Sequence, residues 1–320
     1  MSSFNLILSY DSRFMGSKDM RRIEGIIIER APDISVFITP SNSSSIRTAK
    51  RAEKRPTLIV SMSPLEGFKP RRGKIHCGQA ISKIDQMKLL SEAGVPIPDW
   101  KLIRRGTKFD RKEWGETLIL KPTSSLAAQG RGIQHVKTDN VAFIPPEKFP
   151  PRHVAQDWPM IGQRFIDTGQ YPSEYRVLCF FGKPLYAIRR QSSEIRPPAK
   201  DYYDLEDPRD LGNYKRLKKF GFSDEVGETH YTYEEEALEL ASQVYNAFPH
   251  APLQGVDLVR EEKTGKLYVL EINPRGFTWH FSSANSDRFP LIDGMKREDQ
   301  FDAFSVAANE LIDRTRNEAE

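Results

Sequence analysis

Three oxygen-bearing side chains stand in a pattern that can hold a cation. They lie in Gln254-Gly-Val-Asp-Leu-Val-Arg260 and, after a short turn, in Lys266-Leu-Tyr-Val-Leu-Glu-Ile-Asn-Pro-Arg275. Residues two apart on a strand share a face, so Glu271 and Asn273 project together, with Leu270 and Ile272 on the other side. A three-residue loop, Lys263 to Gly265, with Gly265 in the left-handed conformation such hairpins favour, sets Asp257 directly opposite Glu271. Two carboxylates and an amide oxygen on one patch suit magnesium, which is usually held by one or two carboxylates plus substrate phosphates at about 2.1 Å. The competing reading is an exposed hairpin with solvated charges. Gly255 before the aspartate and Pro274-Arg275 after the asparagine favour a site.

Basic residues could supply the other half of such chemistry. Lys121 ends an apolar strand, Thr117–Lys121, and opens a loop of small residues, Thr123-Ser-Ser-Leu-Ala-Ala-Gln-Gly-Arg-Gly132. Backbone N–H groups of a small-residue loop can approach phosphates closely, and Lys121 adds a point charge. The spacing is neither a Walker A loop nor a dinucleotide fingerprint, and a surface hairpin is the alternative. Arg176 and Arg190 fall on adjacent strands around Phe181-Gly182; an interior arginine needs an anionic partner, either a ligand or a structural salt bridge. His280, in Gly276-Phe-Thr-Trp-His-Phe-Ser-Ser283, is a candidate general base or a ring packed beside Trp279.

The elements that must position these residues are legible from periodicity. Phe4–Tyr10, Ile34–Thr39 and Leu58–Met62 read as strands, with a helix over Lys18–Arg30 carried by Met20, Ile23 and Ile27. This alternation predicts a small parallel α/β unit, closed by the Pro-, Arg- and Gly-rich stretch Lys69–Gly73. A helix is expected from Ile81 to Glu92, stopped by Gly94 and Pro96. Ile133–Val136 returns as partner to Thr117–Lys121, and a Pro-rich linker (Pro145, Pro146, Pro150, Pro151) separates this piece from the next. Met160–Ile166, Tyr175–Phe181 and Pro184–Arg190 read as strands, and residues 191–230 as irregular. Thr232 to Phe248 predicts a helix opened by a capping box of Thr232 and Glu235.

The bulk numbers restrict the function classes. The 320 residues, 38% hydrophobic and 29% charged, describe a globular chain of two or three units. No apolar run reaches the roughly 18–20 residues of a membrane span. The start enters a strand without a secretory leader, and two cysteines, Cys77 and Cys179, suit a reducing cytoplasm rather than a disulfide framework. The net charge of +4 is uneven: residues 1–80 hold 14 Lys/Arg against 7 Asp/Glu. The basic stretch Arg47–Arg55 lacks the aromatics that stacking on nucleic acid uses, so a solvated helix face is expected, then an anionic small molecule or peptide, with nucleic acid disfavoured.

Taken in order, Lys83, Lys121-Pro122, the small-residue loop, Gln163-Arg-Phe-Ile166, Glu174, Arg190, Asp257 and Glu271-Ile-Asn-Pro-Arg275 resemble the ATP-grasp superfamily. Glu174-Tyr-Arg-Val177 and Tyr186-Ala-Ile-Arg-Arg-Gln191 look most like ribosomal-protein-modifying glutamate ligases and related peptide ligases. The resemblance implies an α/β (α+β) architecture: an N-terminal α/β domain over 1–78, a central subdomain with a flap loop over 79–160, and a C-terminal subdomain with the metal hairpin over 161–320. It implies ATP and Mg2+ as cofactors, with Mn2+ an admissible substitute. Lys83 and Lys121 would contact phosphates, the Gln163–Ile166 segment would read the adenine edge through backbone groups of Arg164, Phe165 and Ile166, and Glu174 would hold the ribose. Asp257, Glu271 and Asn273 would bind the metal. Arg190 and Arg275, with Arg176 beside them, are the candidate catalytic cations, and the small-residue loop would close over the triphosphate. The implied reaction turns a carboxylate into an acyl phosphate and joins it to an amine, on amino acid or peptide substrates. The substrate motif of the glutamate ligases, an Asn with an Arg between Gln191 and Thr232, is replaced here by Asn213 and Arg216 in another context. A kinase acting on a small-molecule hydroxyl and a nucleotide-regulated binding protein remain alternatives, and homo-oligomerisation is open.

Overall fold

Aliphatic and β-branched residues dominate Phe4–Tyr10 (β1), Ile34–Pro40 (β2) and Thr57–Ser61 (β3), which pair in parallel with Leu6 between Val36 and Leu58. Parallel neighbours need crossovers, supplied here by Ser17–Arg30 (α1) and Ile46–Ala52 (α2). The stretch Lys69–Gly73 does not close this unit as expected. It leads into Lys74–Cys77 (β4), which joins the same sheet in the order β2-β1-β3-β4. Gly73 makes that turn at φ +105, where an added Cβ would lie 2.6 Å from the Thr57 carbonyl oxygen. The computed structural model describes residues 3–123, 133–149, 151, 154–196, 227–282 and 291–320. The small-residue loop beyond Thr123, Asn213, Arg216 and Ser283 lie outside the described residues.

The second sheet is antiparallel. Lys83–Glu92 (α3) begins with the Ser82 hydroxyl accepting the Asp85 N–H at 3.1 Å and stops before Gly94 at φ +71. Trp100–Leu102 (β5), Arg111–Trp114 (α4), Thr117–Pro122 (β6), Gln134–Lys137 (β7), Val154–Asp157 (α5) and Met160–Arg164 (β8) follow. The strand order is β5-β8-β6-β7. The Pro-rich stretch therefore does not separate two sheets. After it, β8 returns between β5 and β6, because Ile161 and Gln163 bury opposite Lys121 and Ile119. The boundary expected at 160/161 falls inside that strand.

Ser173–Phe180 (β9), Lys183–Ser192 (β10), Gly227–Tyr231 (β11), Glu235–Gln243 (α6), Leu253–Arg260 (β12) and Leu267–Asn273 (β13) build the third sheet, ordered β11-β10-β9-β12-β13. One face, with Tyr175, Val177, Val256, Leu258 and Ile272, packs on α6 and on Met87 and Leu90 of α3. On the other, Leu178, Phe180, Tyr186 and Ile188 share a core with α1, β1, β3 and the last helix, Ala303–Glu318 (α7). The N-terminal unit is thus cemented to the third sheet. The capping box does not form. Helix α6 starts at Glu235, and Thr232 instead accepts the Glu234 N–H at 3.3 Å, because the Thr232 N–H is already tied to the Ala187 carbonyl at 3.1 Å. A short 3-10 turn, Val244–Ala247, completes the expected length. Among the described residues no helix is long and apolar enough to cross a membrane.

Candidate active site

The β12–β13 hairpin brings Asp257 and Glu271 into register, by a route the sequence did not disclose. At the turn Arg260 pairs with Leu267, and the Glu261 N–H donates to the Lys266 carbonyl at 2.9 Å. The loop is one residue longer than the three expected. A β-bulge between Asp257 and Leu258 on one strand, and Glu271 and Val269 on the other, absorbs the difference. Leu270 is the extra residue, and it does not go to the far side with Ile272. It packs with Ile166, Val259 and Tyr268 on the face that carries Asp257, while Ile272 and Val269 enter the α3–α6 core. Gly255 sits opposite Asn273, and only glycine fits: an added Cβ would lie 2.8 Å from the Thr278 methyl as the chain folds back over β12.

A row of charge crosses the sheet on this face. Arg176 pairs in register with Asp257, which pairs with Glu271; one strand over, Arg190 pairs with Glu174. The side chains follow. Arg176 grips Asp257 through both oxygens, Nε to Oδ1 at 2.6 Å and an Nη to Oδ2 at 2.8 Å, a bidentate geometry that lysine cannot reproduce. Asn273 donates its amide N–H to the same Oδ2 at 3.1 Å, which leaves its own amide oxygen to accept from another group or to coordinate a cation. Arg190 forms an ion pair with Glu174. Lys83 forms one with Glu271. The reason is the docking of α3: the Ile272 N–H donates to the Gln86 side-chain oxygen at 3.2 Å, and the Lys83 N–H to the Thr123 carbonyl at 3.2 Å.

The electrostatics are those of desolvated, mutually compensating charges. Burial pushes the Glu271 carboxyl up, but Lys83, Lys121 and Arg176 outweigh it and hold it at about 2. Lys121 is pushed down to about 8, first by burial and then by Lys83, with Glu271 and Asp257 opposing. Burial raises Glu174 against the pull of Arg190. His280 is lowered to about 3 by burial and by Arg176 and Arg297, and its Nδ1 lies 3.1 Å from the Tyr186 hydroxyl. It is a neutral ring in a cationic neighbourhood and a weak base.

The remaining expected residues are placed as follows. Gln163 is buried, its amide N–H directed at the Met87 sulfur at 3.7 Å. The Arg164 side chain turns to Glu261 and the Tyr268 hydroxyl, each at 3.0 Å, and its backbone N–H is spent on the Asp99 carbonyl at 2.8 Å. The Arg164 backbone N–H is therefore already engaged within the protein. Ile166 is buried with Leu270 and Tyr268. Arg275 is half-buried, and among the described residues it forms no ion pair.

Other features at this site were not anticipated. His135 stacks on Phe165 at 4.2 Å, shares a 2.7 Å hydrogen bond with Thr117, and is lowered to about 3 by burial and then Arg196. Arg196 lies over the Phe165 ring, 5.0 Å from its centroid, and bonds Asp167 and Thr168. A cavity of ≈ 480 Å³ opens beside Phe165, lined also by Thr117, His135, Asp167 and Arg196. Asp19, at the start of α1, accepts the Trp279 indole N–H at 2.8 Å and the Ser282 hydroxyl. A lone acidic residue in a helix's first turn looks like a dipole effect in sequence, so nothing there could have signalled this tether.

The donors fit a divalent metal in one respect that matters. Among the described residues no three His, Cys, Asp or Glu side chains gather as a self-sufficient metal cage. Two in-register carboxylates and an amide oxygen match instead the regime in which magnesium is held jointly by protein and phosphates.

Residues 189–278 match a family model described as an ATP-grasp domain. Among solved structures, the chain is similar to D-cycloserine synthetase DcsG (15% identity, TM-score 0.48, 96% of this chain and 99% of that one). It is also similar to D-alanine–D-alanine ligase from Bacillus anthracis (14%, 0.46, 98% and 99%) and to ATP-grasp ligase PsnB complexed with minimal precursor (12%, 0.48, 96% and 100%). No curated protein sequence matches.

Proposed function

We propose, from the premise that this chain carries an ATP-grasp domain, that it is an ATP-dependent ligase that activates a carboxylate and joins it to an amine. The family match runs from the last part of β10 to the turn after β13, and so includes Arg190, Asp257, Glu271, Asn273 and Arg275. The observation that carries the reading is the register of Asp257 with Glu271, flanked by Lys83, Lys121, Arg176 and Arg190 on one face. Asp257, Glu271 and Asn273 would hold magnesium, which neutralises developing charge on the transferred phosphoryl group.

In the first step a substrate carboxylate oxygen attacks the γ-phosphorus, breaking its bond to ADP and giving an acyl phosphate. In the second, an amine attacks the acyl carbon, inorganic phosphate leaves, and the amine loses a proton. The chain's own residues act by position and charge. Lys121 and Lys83 neutralise phosphate oxygens, Glu174 receives the ribose hydroxyls, and the Gln163–Ile166 segment borders the base. Arg190 and Arg275 stabilise the departing phosphate. His280, held neutral, carries no proton in this scheme. Mn2+ would serve in place of magnesium, and amino acid or peptide substrates suit the arginine-rich face.

The test is a phosphate-release screen with ATP, magnesium and pairs of carboxylate and amine substrates. Release that requires both partners and accompanies amide formation supports the ligase. Release with a hydroxyl compound alone, yielding a phosphorylated product, overturns it in favour of a kinase.

A further inference from the structure

Both carboxylates among the candidate metal ligands are already engaged by a cation that belongs to the protein. Arg176 occupies both oxygens of Asp257, at 2.6 and 2.8 Å, and Lys83 is paired with Glu271. These are not surface pairs: Asp257 is 6% exposed and Lys83 8%. Arg190 holds Glu174 in the same way, and Lys121 adds a fourth cation whose field reaches Glu271. Four cations against three carboxylates leave these residues at a net +1.

That balance has a direct consequence for how ligands enter. A divalent ion arriving alone must displace Arg176 from Asp257, and it would take the group from +1 to +3 inside a desolvated patch, where like charges repel strongly. A triphosphate arriving alone would meet Glu271 and Asp257 together with the cations it needs. Arriving together, the two ligands nearly cancel, and each supplies what the other displaces: phosphates take over Lys83 and Arg176, and the metal takes over the carboxylates they release.

We propose that Arg176, seconded by Lys83, stands in for the metal at Asp257 and Glu271 in the free protein, so that divalent cation and triphosphate bind only as strongly coupled partners. This rests on the ATP-site reading above and deepens it. Arg176 acts here as a counter-ion that gates the metal, and its partner exchange costs little because one ion pair replaces another. By reciprocity the metal raises nucleotide affinity by the same factor that the nucleotide raises metal affinity.

The experiment is an Mn2+ titration followed by electron paramagnetic resonance, with and without a non-hydrolysable ATP analogue, after correction for Mn2+ held by the analogue in solution. The wild-type chain is expected to bind Mn2+ at least about tenfold more weakly without the analogue than with it, within the usual range of coupling between sites. Arg176→Gln should strengthen binding of Mn2+ alone by about tenfold and shrink the coupling, whereas Arg176→Lys, which keeps the charge but not the two-point grip on Asp257, should fall between the two. A merely structural Arg176 would give the opposite sign, since its loss would loosen the site and weaken metal binding. Equal wild-type affinity for Mn2+ with and without the analogue overturns the proposal, as does a folded Arg176→Gln protein with unchanged or weaker affinity for Mn2+ alone. Should Arg176→Gln fail to fold, the wild-type coupling factor decides alone. Failure to bind either ligand in any combination is a different result: it overturns the ATP site itself, and the coupling with it.

Discussion

Glu271 and Lys121 show how far a single side chain can be read and where reading stops. That Glu271 faces the same way as Asn273 follows from strand period alone. That its carboxyl is held at about 2 does not, because the cause is Lys83, 188 residues away in sequence. Replacing Glu271 with alanine removes a proposed metal ligand and leaves Lys83 buried without its partner, so ATP turnover should fall by at least about 100-fold, on the order of 3 kcal/mol of transition-state stabilisation. Steady-state assay of a variant whose melting temperature is unchanged checks this. Lys121 gives a pH signature. Its amine, pushed down to about 8, loses its charge as pH rises through that value in the free protein, and bound phosphate favours the charged form. Nucleotide affinity should therefore weaken above pH of about 8, by up to about tenfold per unit until the pKa of the complex is reached. Calorimetric titration at pH 7, 8 and 9 measures it, and Lys121→Arg should flatten the profile. The same depression works on folding in the other direction: between about 8 and the ordinary lysine value of 10.5 the unfolded chain binds more protons, so this group adds stability as pH rises through that window.

At the scale of elements, the hairpin is the instructive case. Expected loop length and expected alternation were each off by one residue, and the two errors cancelled at Asp257 because the bulge at Leu270 restores the pairing. Nothing in Val-Leu-Glu-Ile marks a bulge, since Leu270 is as apolar as Val269 and Ile272; the bulge is fixed by Tyr268, Ile166 and Val259 around Leu270 on one face and by the α3–α6 core around Val269 and Ile272 on the other. Deleting Leu270 removes the extra residue and leaves Glu271 opposite Asp257 in an unbroken ladder, so metal-dependent nucleotide binding, read by calorimetry, should be retained; loss of binding in that variant would show that the bulge itself shapes the site. Gly255→Ala places a methyl 2.8 Å from Thr278 and should cost about 1–3 kcal/mol of stability by denaturant titration. The capping box over Thr232 failed for a related reason: its backbone was claimed by β10, a partner that local sequence does not reveal.

For the whole molecule, the first three parallel strands and most strands of the later sheets were legible because hydrophobic period and chain punctuation agree there; β4, β5 and β11 were not, and β11 falls largely in the stretch expected to be irregular. How the units lock was not legible. Helix α7 returns across the entire chain to pack on α1, and Asp19 ties the loop after the metal strand to the N-terminal unit through Trp279 and Ser282. Such contacts join residues about 260 apart and have no local period. Asp19→Ala leaves a fully buried indole N–H unpaired, so it should destabilise the chain by about 1–3 kcal/mol and lower turnover by loosening the loop that borders the site; thermal unfolding and steady-state kinetics on the same sample check both. The account as a whole stands on convergence of Asp257, Glu271 and Asn273 on a metal that also holds phosphate. A crystal grown with Mn2+ and a non-hydrolysable ATP analogue tests it most directly through the anomalous signal of the metal. The account predicts a peak at coordination distance, about 2.1–2.2 Å, from both carboxylates and from phosphate oxygens, with Arg176 withdrawn from Asp257. A nucleotide bound elsewhere, or a peak touching neither carboxylate, would contradict it.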